Sequence, residues 1–241
     1  MTCSFSLSFL LSRKDYYLAE EFEGKQCSFP LENNLQSVEH LRISSKELLT
    51  HSNNYFANVT QLTIANAPNT LDESFLIPLN RLIPLKQLTH LTIEYNWLAV
   101  ENIVRLIHSA PNLHTLKMDS YISEKELQSL EQSTVFQDVL TKNRVRYIYC
   151  SDLCLLTEIK VLMKLFPRME YLDVSISRKE INQIITHLFR KNFRSLHRLV
   201  SLCLTEVPKV CLQEVDQLLK WENLLENYCL KHLNGDLYIW W

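Results

Sequence analysis

The stretch Leu88-Thr-His-Leu91-Thr-Ile93 decides the fold, because apolar residues occupy its first, fourth and sixth places. Alternation of apolar and polar residues is typical of a β-strand, in which neighbouring side chains point to opposite faces. Six further stretches have the same spacing, so the chain is predicted to contain a series of seven similar strands. The other six begin at Val38, Val59, Leu113, Val145, Met169 and Leu199.

The predicted strands recur at intervals typical of a repeat protein. Their fourth-place residues lie at positions 41, 62, 91, 116, 148, 172 and 202, so the steps between them are 21, 29, 25, 32, 24 and 30 residues. Most of these steps lie between roughly 20 and 29 residues, a length that holds one strand and one helix or turn. The uneven steps predict an irregular stack of such units.

Helical spacing of apolar residues follows most of the predicted strands. After Ile93 the apolar residues recur every three or four positions and end at Pro111, which cannot continue a helix. Ser123 and Ser177 each begin an S-x-x-E capping box, a signal of a helix start. Further helices are predicted after Met118, between Cys150 and Pro167, after Val174, and over about 212–225.

The nine residues from Leu88 to Asn96 match the leucine-rich-repeat consensus L-x-x-L-x-L-x-x-N in full, and the other six units keep its apolar frame without the final Asn. The chain therefore resembles leucine-rich-repeat proteins. Alternating strands and helices predict an α/β fold, with a parallel sheet on one side and helices on the other. The expected architecture is a curved leucine-rich-repeat solenoid of about seven to eight irregular repeats, with the sheet on the concave side and the helices on the convex side.

The ends of a solenoid must cover apolar faces, so two capping regions are expected. Residues 1–30 are predicted to form an N-terminal capping segment, and residues 31–241 the solenoid. A C-terminal cap is predicted from about residue 230, with an eighth strand after Gly235. Trp240 and Trp241 are interpreted as buried parts of that cap, although an exposed aromatic anchor is the alternative.

Uneven repeats and two short phrases point to a narrower resemblance. The phrases are Ala110-Pro-Asn-Leu-His-Thr-Leu116 and Phe166-Pro-Arg-Met-Glu-Tyr-Leu172. Together with the aromatic tail they resemble the repeat region of F-box/leucine-rich-repeat proteins, the adaptors of cullin-type ubiquitin ligases. The resemblance implies a non-catalytic protein–protein interaction scaffold that recognises a ligase substrate, while an F-box binds a Skp-type linker and cullin.

The F-box itself is not found in this sequence. Residues 1–30 lack the Leu-Pro-x-Glu helix start that such a box would need. Either an F-box lies upstream of this chain, or the protein is a stand-alone repeat protein. A second hypothesis is a leucine-rich-repeat ligand-recognition domain of innate sensing or signalling.

Composition excludes several other classes of function. The chain has 25 basic and 27 acidic residues, a formal net charge of −2, and no long run of one sign, which argues against nucleic acid as the main partner. Only two glycines are present, so no glycine-rich phosphate loop can be built. Seven scattered cysteines indicate reduced thiols in an intracellular protein of the cytoplasm or nucleus. No segment is apolar enough to predict membrane insertion.

The third and fifth places of each strand are predicted to face away from the core and to form the partner-binding, concave face. Tyr147, Tyr149 and Tyr171 would meet across neighbouring strands, either as a binding hot spot or as packing that serves only the sheet. These three and Arg42 are the predicted anchors. The full predicted face is His40, Arg42, Gln61, Thr63, His90, Thr92, Glu94, Thr115, Lys117, Tyr147, Tyr149, Tyr171, Asp173 and Ser201, with Asp119 and Cys203 beside it.

Catalytic and metal-binding patterns are weak in this sequence. His40 and His90 hold equivalent places in non-adjacent units, which puts them too far apart for one ion. Cys150 and Cys154 form a C-x₃-C pair without a second pair of ligands nearby. No Ser or Cys is marked by a neighbouring base. The protein is therefore predicted not to be an enzyme and to need no cofactor or metal.

Overall fold

A computed structural model describes residues 15–18, 35–44, 52, 54–65, 75–94, 99–119, 124–190 and 198–241. The fold is α/β, with one mostly parallel sheet of ten strands. Strands β1 to β8 follow one another across the sheet in chain order, and β10 and then β9 complete it. The strands are β1 (Asp15–Leu18), β2 (His40–Ile43), β3 (Gln61–Ile64), β4 (His90–Ile93), β5 (Thr115–Met118), β6 (Tyr147–Leu153), β7 (Tyr171–Ser175), β8 (Ser201–Thr205), β9 (Cys229–Leu233) and β10 (Asp236–Trp240).

The seven predicted strands are confirmed as β2 to β8, all parallel and in matching register. Their fourth-place residues lie opposite one another in one continuous row, and none of them is more than 1% exposed. A one-residue slip would turn such a row to the other face of the sheet, so burial fixes the register. The row consists of Leu41, Leu62, Leu91, Leu116, Ile148, Leu172 and Leu202.

Helices cover this packed face, and their apolar side chains belong to the same core as the strand residues. The helix after Ile93 begins at Val100 and ends at Ser109, as its apolar spacing predicts, and the Ala110 N–H still bonds to the Leu106 carbonyl at 3.0 Å. The helices of the described residues are α1 (Leu76–Leu82), α2 (Val100–Ser109), α3 (Glu124–Leu130), α4 (Thr134–Lys142), α5 (Leu156–Leu165), α6 (Ile181–Phe189) and α7 (Val210–Trp221).

The capping box predicted at Ser177 does not form. The Ser177 side chain makes no capping hydrogen bond, because residues 178–180 make a tight 3₁₀ turn in which the Glu180 N–H bonds to the Ser177 backbone carbonyl. The Glu180 carboxylate instead accepts the Leu156 N–H at 3.2 Å, at the start of α5. Ser123, which begins the other predicted capping box, lies outside the described residues.

The predicted eighth strand is present as β10, but it runs antiparallel to its neighbours β8 and β9. Asn234 and Gly235 both have positive φ, of 54° and 95°, which suits the tight turn of a right-twisted hairpin. This hairpin adds β9, a strand that the sequence analysis missed. A further strand that the spacing does not predict is β1, which pairs in parallel with β2 and is the described part of the predicted capping segment 1–30.

The two C-terminal tryptophans lie in different places. Trp241 packs against Phe189 edge to face, with ring centroids 4.6 Å apart, beside the core. Trp240 belongs to β10 and points to the uncovered face of the sheet, opposite Ser201. The interpretation of both residues as a buried cap is therefore wrong for Trp240, because strand alternation separates it from Leu237 and Ile239.

No helix of the described residues has the length and apolar character to cross a lipid bilayer.

Truncation of one residue of the buried row tests its contribution to stability. Leu116→Ala removes a fully buried side chain and should lower the free energy of unfolding by about 3 kcal/mol, since a cavity remains. Lys117→Ala, the next residue on the exposed side of β5, should change it by less than about 0.5 kcal/mol. Urea denaturation followed by circular dichroism measures both, and equal effects would contradict the assigned register.

Candidate binding face

The sheet has a second face that the helices do not cover, here called the open face. It is formed by the third- and fifth-place residues of the strands, which stand in two rows across β2 to β8. The structure thus brings the predicted residues onto one surface. The first row is His40, Gln61, His90, Thr115, Tyr147, Tyr171 and Ser201, and the second is Arg42, Thr63, Thr92, Lys117, Tyr149, Asp173 and Cys203.

Not every residue of these rows is accessible to a partner. Thr63 is 4% exposed and Ser201 is 7% exposed, and Cys203 is fully buried. These small side chains lie beneath larger neighbours, so their inclusion in the contact surface is wrong. Gln61, Thr92 and Thr115 are half-buried, and His90 and Lys117 are exposed.

Asp15, His40 and Thr63 form a chain of hydrogen bonds at the β1 end of the open face. The His40 Nδ1 lies 3.1 Å from the Asp15 carboxylate, and its Nε2 lies 2.8 Å from the Thr63 hydroxyl. This order of groups is that of a nucleophile activated by a base. Because Thr63 is almost completely buried, a substrate cannot reach its hydroxyl, and the chain of bonds serves to connect three strands. Strand spacing does not predict this chain of bonds, because Asp15 lies in the unpredicted strand β1.

Arg42 is paired with Glu94, although 32% of its side chain remains exposed. Its guanidinium donates two hydrogen bonds, of 2.7 and 2.5 Å, to the two oxygens of the Glu94 carboxylate across β3. Such a bidentate pair has well-defined geometry and neutralises both charges. Arg42 stays a predicted anchor, but its charge is already offset by Glu94.

The tyrosine cluster of Tyr147, Tyr149 and Tyr171 forms as the strand spacing predicts. The ring centroids of Tyr149 and Tyr171 are 5.3 Å apart and those of Tyr147 and Tyr171 are 6.3 Å apart, both with tilted rings. These separations are favourable for aromatic pairs. Tyr147 is 41% exposed, so the cluster supports the sheet and also presents aromatic surface to solvent.

The C-terminal hairpin extends this aromatic surface. Tyr238 lies opposite Cys203 and Trp240 lies opposite Ser201, and their rings stack with centroids 5.6 Å apart and planes 8° apart. Lys231 of β9 places its Nζ 6.0 Å from the Trp240 ring, within reach of a cation–π contact. Tyr238 and Trp240 are absent from the predicted face, although the alternation from Asp236 to Trp240 is a signal that could have placed them there.

Asp173 stands between the tyrosine cluster and the hairpin. The Tyr171 hydroxyl donates a hydrogen bond of 3.1 Å to its carboxylate. Burial raises the pKa of Asp173 above its usual value, and the hydrogen bonds from Tyr171 and Cys203 act in the opposite direction. Half-burial of a carboxylate in this way makes it a strong acceptor for any donor that approaches it.

The neighbouring phenols and thiol stay protonated at neutral pH. Burial, followed by the charge of Asp173, raises the pKa of Tyr149 and Tyr171, and the same causes raise the pKa of Cys203 to about 12. A thiol needs a lowered pKa to act as a nucleophile. These groups are therefore suited to donating hydrogen bonds rather than to covalent catalysis.

An open pocket of about 340 Å³ lies beside Tyr149 and Asp173, at the ends of β5 to β8. Its carboxylates are Asp173, Glu206 and Asp236, and Lys117 is its cation. The register of β6 against β7 shifts between Cys150 and Leu153 at this point, and such bulges redirect side chains. We call this cavity the acidic pocket.

The Cys150–Cys154 pair and His40 do not belong to a metal-binding group in the described part of the chain. Cys150 and Cys154 are both buried, and a hydrogen bond to Cys154 together with burial raises the pKa of Cys150 well above its usual value. Both ring nitrogens of His40 have partners within the sheet. Across the described residues, no three His, Cys, Asp or Glu side chains gather into a group that could bind an ion. Cys229, in contrast to the buried thiols, is exposed.

No protein-family model matches this chain, and no curated protein resembles it significantly.

Replacement of one phenol tests the electrostatics of Asp173. Tyr171→Phe removes the hydrogen bond that lowers the pKa of Asp173, so this pKa should rise further above its usual value. Titration of the carboxyl ¹³C resonance by NMR measures the change. Tyr147→Phe is the control, because among the described residues the Tyr147 hydroxyl forms no hydrogen bond with Asp173. An unchanged Asp173 titration in Tyr171→Phe would refute the assignment.

Proposed function

We propose that this protein is a leucine-rich-repeat solenoid that acts as a non-catalytic protein–protein interaction scaffold, with the open face of its sheet as the binding surface. The observation that carries the proposal is the pair of register-matched rows on β2 to β8. In every strand the fourth and sixth places are buried, and the third and fifth places lie together on the uncovered side. This is the arrangement by which stacked repeats present an extended surface.

The sequential order of the strands supports the solenoid. Each of β2 to β7 pairs with the strand before it and the strand after it in the chain, and β8 pairs with β7 and β10, so that each unit contacts its neighbours. The full consensus from Leu88 to Asn96 and the period of the units agree with this interpretation. The incomplete consensus in the other six units agrees with connections of uneven length.

The chemistry of the open face supports binding rather than catalysis. The Thr63 hydroxyl, which bonds to His40 on this face, is buried, and the pKa of the Cys203 thiol is raised. In contrast, the tyrosine cluster offers large and rigid side chains, which lose little conformational entropy when they are covered by a protein partner. We therefore take Tyr147, Tyr149 and Tyr171 as the centre of the binding surface.

We further propose that the bound protein is the substrate of a ubiquitin ligase of the cullin type, which this chain would recognise in the cytoplasm or nucleus. The support is the resemblance of the uneven repeats and of the phrases around Pro111 and Pro167 to the repeat region of F-box adaptors. If an F-box lies upstream of this chain, a Skp-type linker and a cullin are additional partners.

A double substitution tests the binding surface. Tyr149→Ala with Tyr171→Ala should weaken partner binding by about 100-fold, because hot-spot residues contribute on the order of 2 kcal/mol or more when truncated. The full chain with an affinity tag is used to capture proteins from cell extract, and quantitative mass spectrometry compares the variant with the wild type. Captured proteins that depend on the two tyrosines are the expected result.

Tyr55→Ala is the matched control, since Tyr55 is an exposed tyrosine outside the open face. It should capture the same proteins as the wild type, and circular dichroism should show that both variants remain folded. Equal capture by the double variant and the wild type would refute the open face as the binding surface. Recovery of a Skp-type linker and a cullin with the wild-type chain tests the ligase assignment separately.

A further inference from the structure

The acidic pocket has an excess of negative charge. Asp173, Glu206 and Asp236 supply three carboxylates, whereas Lys117 supplies one ammonium group. In the part of the chain that the structure describes, none of these three carboxylates forms a salt bridge. The pair of Arg42 and Glu94, at the other end of the open face, is by contrast already neutralised.

The contacts inside the pocket leave acceptor capacity on its carboxylates. Asp173 accepts hydrogen bonds from the Tyr171 hydroxyl and the Cys203 thiol, and one oxygen of Asp236 accepts the Glu206 N–H at 3.0 Å. An ionised carboxylate has about four acceptor positions. The pocket is therefore rich in acceptors, and it lies next to the tyrosine cluster.

Covering the tyrosine cluster would also cover Asp173, because Tyr149 and Tyr171 flank it in the two rows. A carboxylate that loses its remaining water without gaining a donor or a positive charge imposes a large cost on binding. A partner that binds at the tyrosines must therefore bring a donor, and a cationic donor compensates a carboxylate best.

We propose that the acidic pocket binds the guanidinium group of an arginine side chain of the protein partner, with the Tyr149 ring alongside it and Asp173 and Asp236 as its acceptors. This inference rests on the proposed function, since it identifies what the partner presents to the open face. The partner segment that covers the tyrosine cluster must then contain an arginine.

Arginine fits this pocket better than lysine does. Its planar group has five N–H donors and stacks on aromatic rings, and it is less strongly hydrated than an ammonium group. The pocket provides both hydrogen-bond acceptors and an aromatic ring. The acceptors are its carboxylates and the hydroxyls of Ser175 and Thr205, and the ring is that of Tyr149. A lysine has three donors on a single ammonium nitrogen, and this group cannot stack on the Tyr149 ring as a planar guanidinium does.

A small probe tests the pocket without knowledge of the partner. N-acetyl-arginine-N′-methylamide is added to the full chain, and the tyrosine ring signals are followed by NMR. The matching citrulline compound has the same shape without the charge, and the lysine compound has the charge without the planar group. We expect saturable shifts of the Tyr149 and Tyr171 signals with arginine, and at least about 10-fold weaker binding of the other two compounds.

Two variants assign the shifts to the pocket. Asp173→Asn and Asp236→Asn should each weaken arginine binding by about 10-fold or more, because each removes a charged acceptor. Asp138→Asn, on the exposed side of α4, is the matched control and should leave binding unchanged. Using two pocket variants protects the test against a folding defect in one of them, and circular dichroism identifies such a defect.

Three results would overturn the inference. The first is the absence of a saturable shift with the arginine compound, and the second is binding of the citrulline or lysine compound as strong as that of the arginine compound. The third is arginine binding that is unchanged in both pocket variants. These results are distinct from failure of the proposed function. If captured proteins depend on Tyr149 and Tyr171 but not on Asp173 or Asp236, the binding face stands and the arginine assignment fails. If capture depends on none of these residues, the proposed function fails.

Discussion

The structure depends on in-register pairing of parallel strands that each have one buried face. Every unit contributes apolar residues at its fourth and sixth places, and the register keeps these residues in continuous rows beneath the helices. Backbone hydrogen bonds alone would tolerate a shift of one residue, but such a shift would expose an entire row of apolar residues. Burial therefore determines the register, and the register in turn determines which side chains meet on the open face.

The open face divides into two regions with different electrostatics. Near β2 to β4, charges are satisfied within the protein, as in the bidentate pair of Arg42 and Glu94 and the contacts of His40. Near β6 to β10, aromatic rings lie beside Asp173, whose carboxylate forms no salt bridge among the described residues. Charged groups without an internal salt bridge are typical of binding surfaces. Polar groups with a purely structural role are, in contrast, best satisfied within the protein.

Much of the fold follows from the sequence, because strict alternation with strong apolar residues leaves one way to bury β2 to β8. The strands that were not predicted carry weaker signals. The β1 sequence Asp-Tyr-Tyr-Leu does not alternate between apolar and polar residues, and β9 is exposed at every second residue and only partly buried between. The antiparallel direction of β10 was not predictable either, since alternation is the same in both directions. Direction depends on the turn at Asn234 and Gly235.

The candidate face was predictable as a set of positions but not as a set of contacts. Spacing within a strand assigns a residue to a face and a row, so the meeting of Tyr147 with Tyr171 followed directly. It does not reveal which side chains bond across strands, such as Arg42 with Glu94, 52 positions apart in the chain. Nor does it reveal that Thr63 and Ser201 are covered, because burial of a small side chain depends on the size of its neighbours.

The C-terminal hairpin links the two faces of the sheet in one strand. Leu237 and Ile239 of β10 are fully buried in the core beside β8. The residues between and beside them, Asp236, Tyr238 and Trp240, point the other way because alternation is unavoidable in a strand. The same strand that contributes to the core thus supplies a carboxylate and two rings to the open face, and this places the most distinctive part of that face beside β8 and β10.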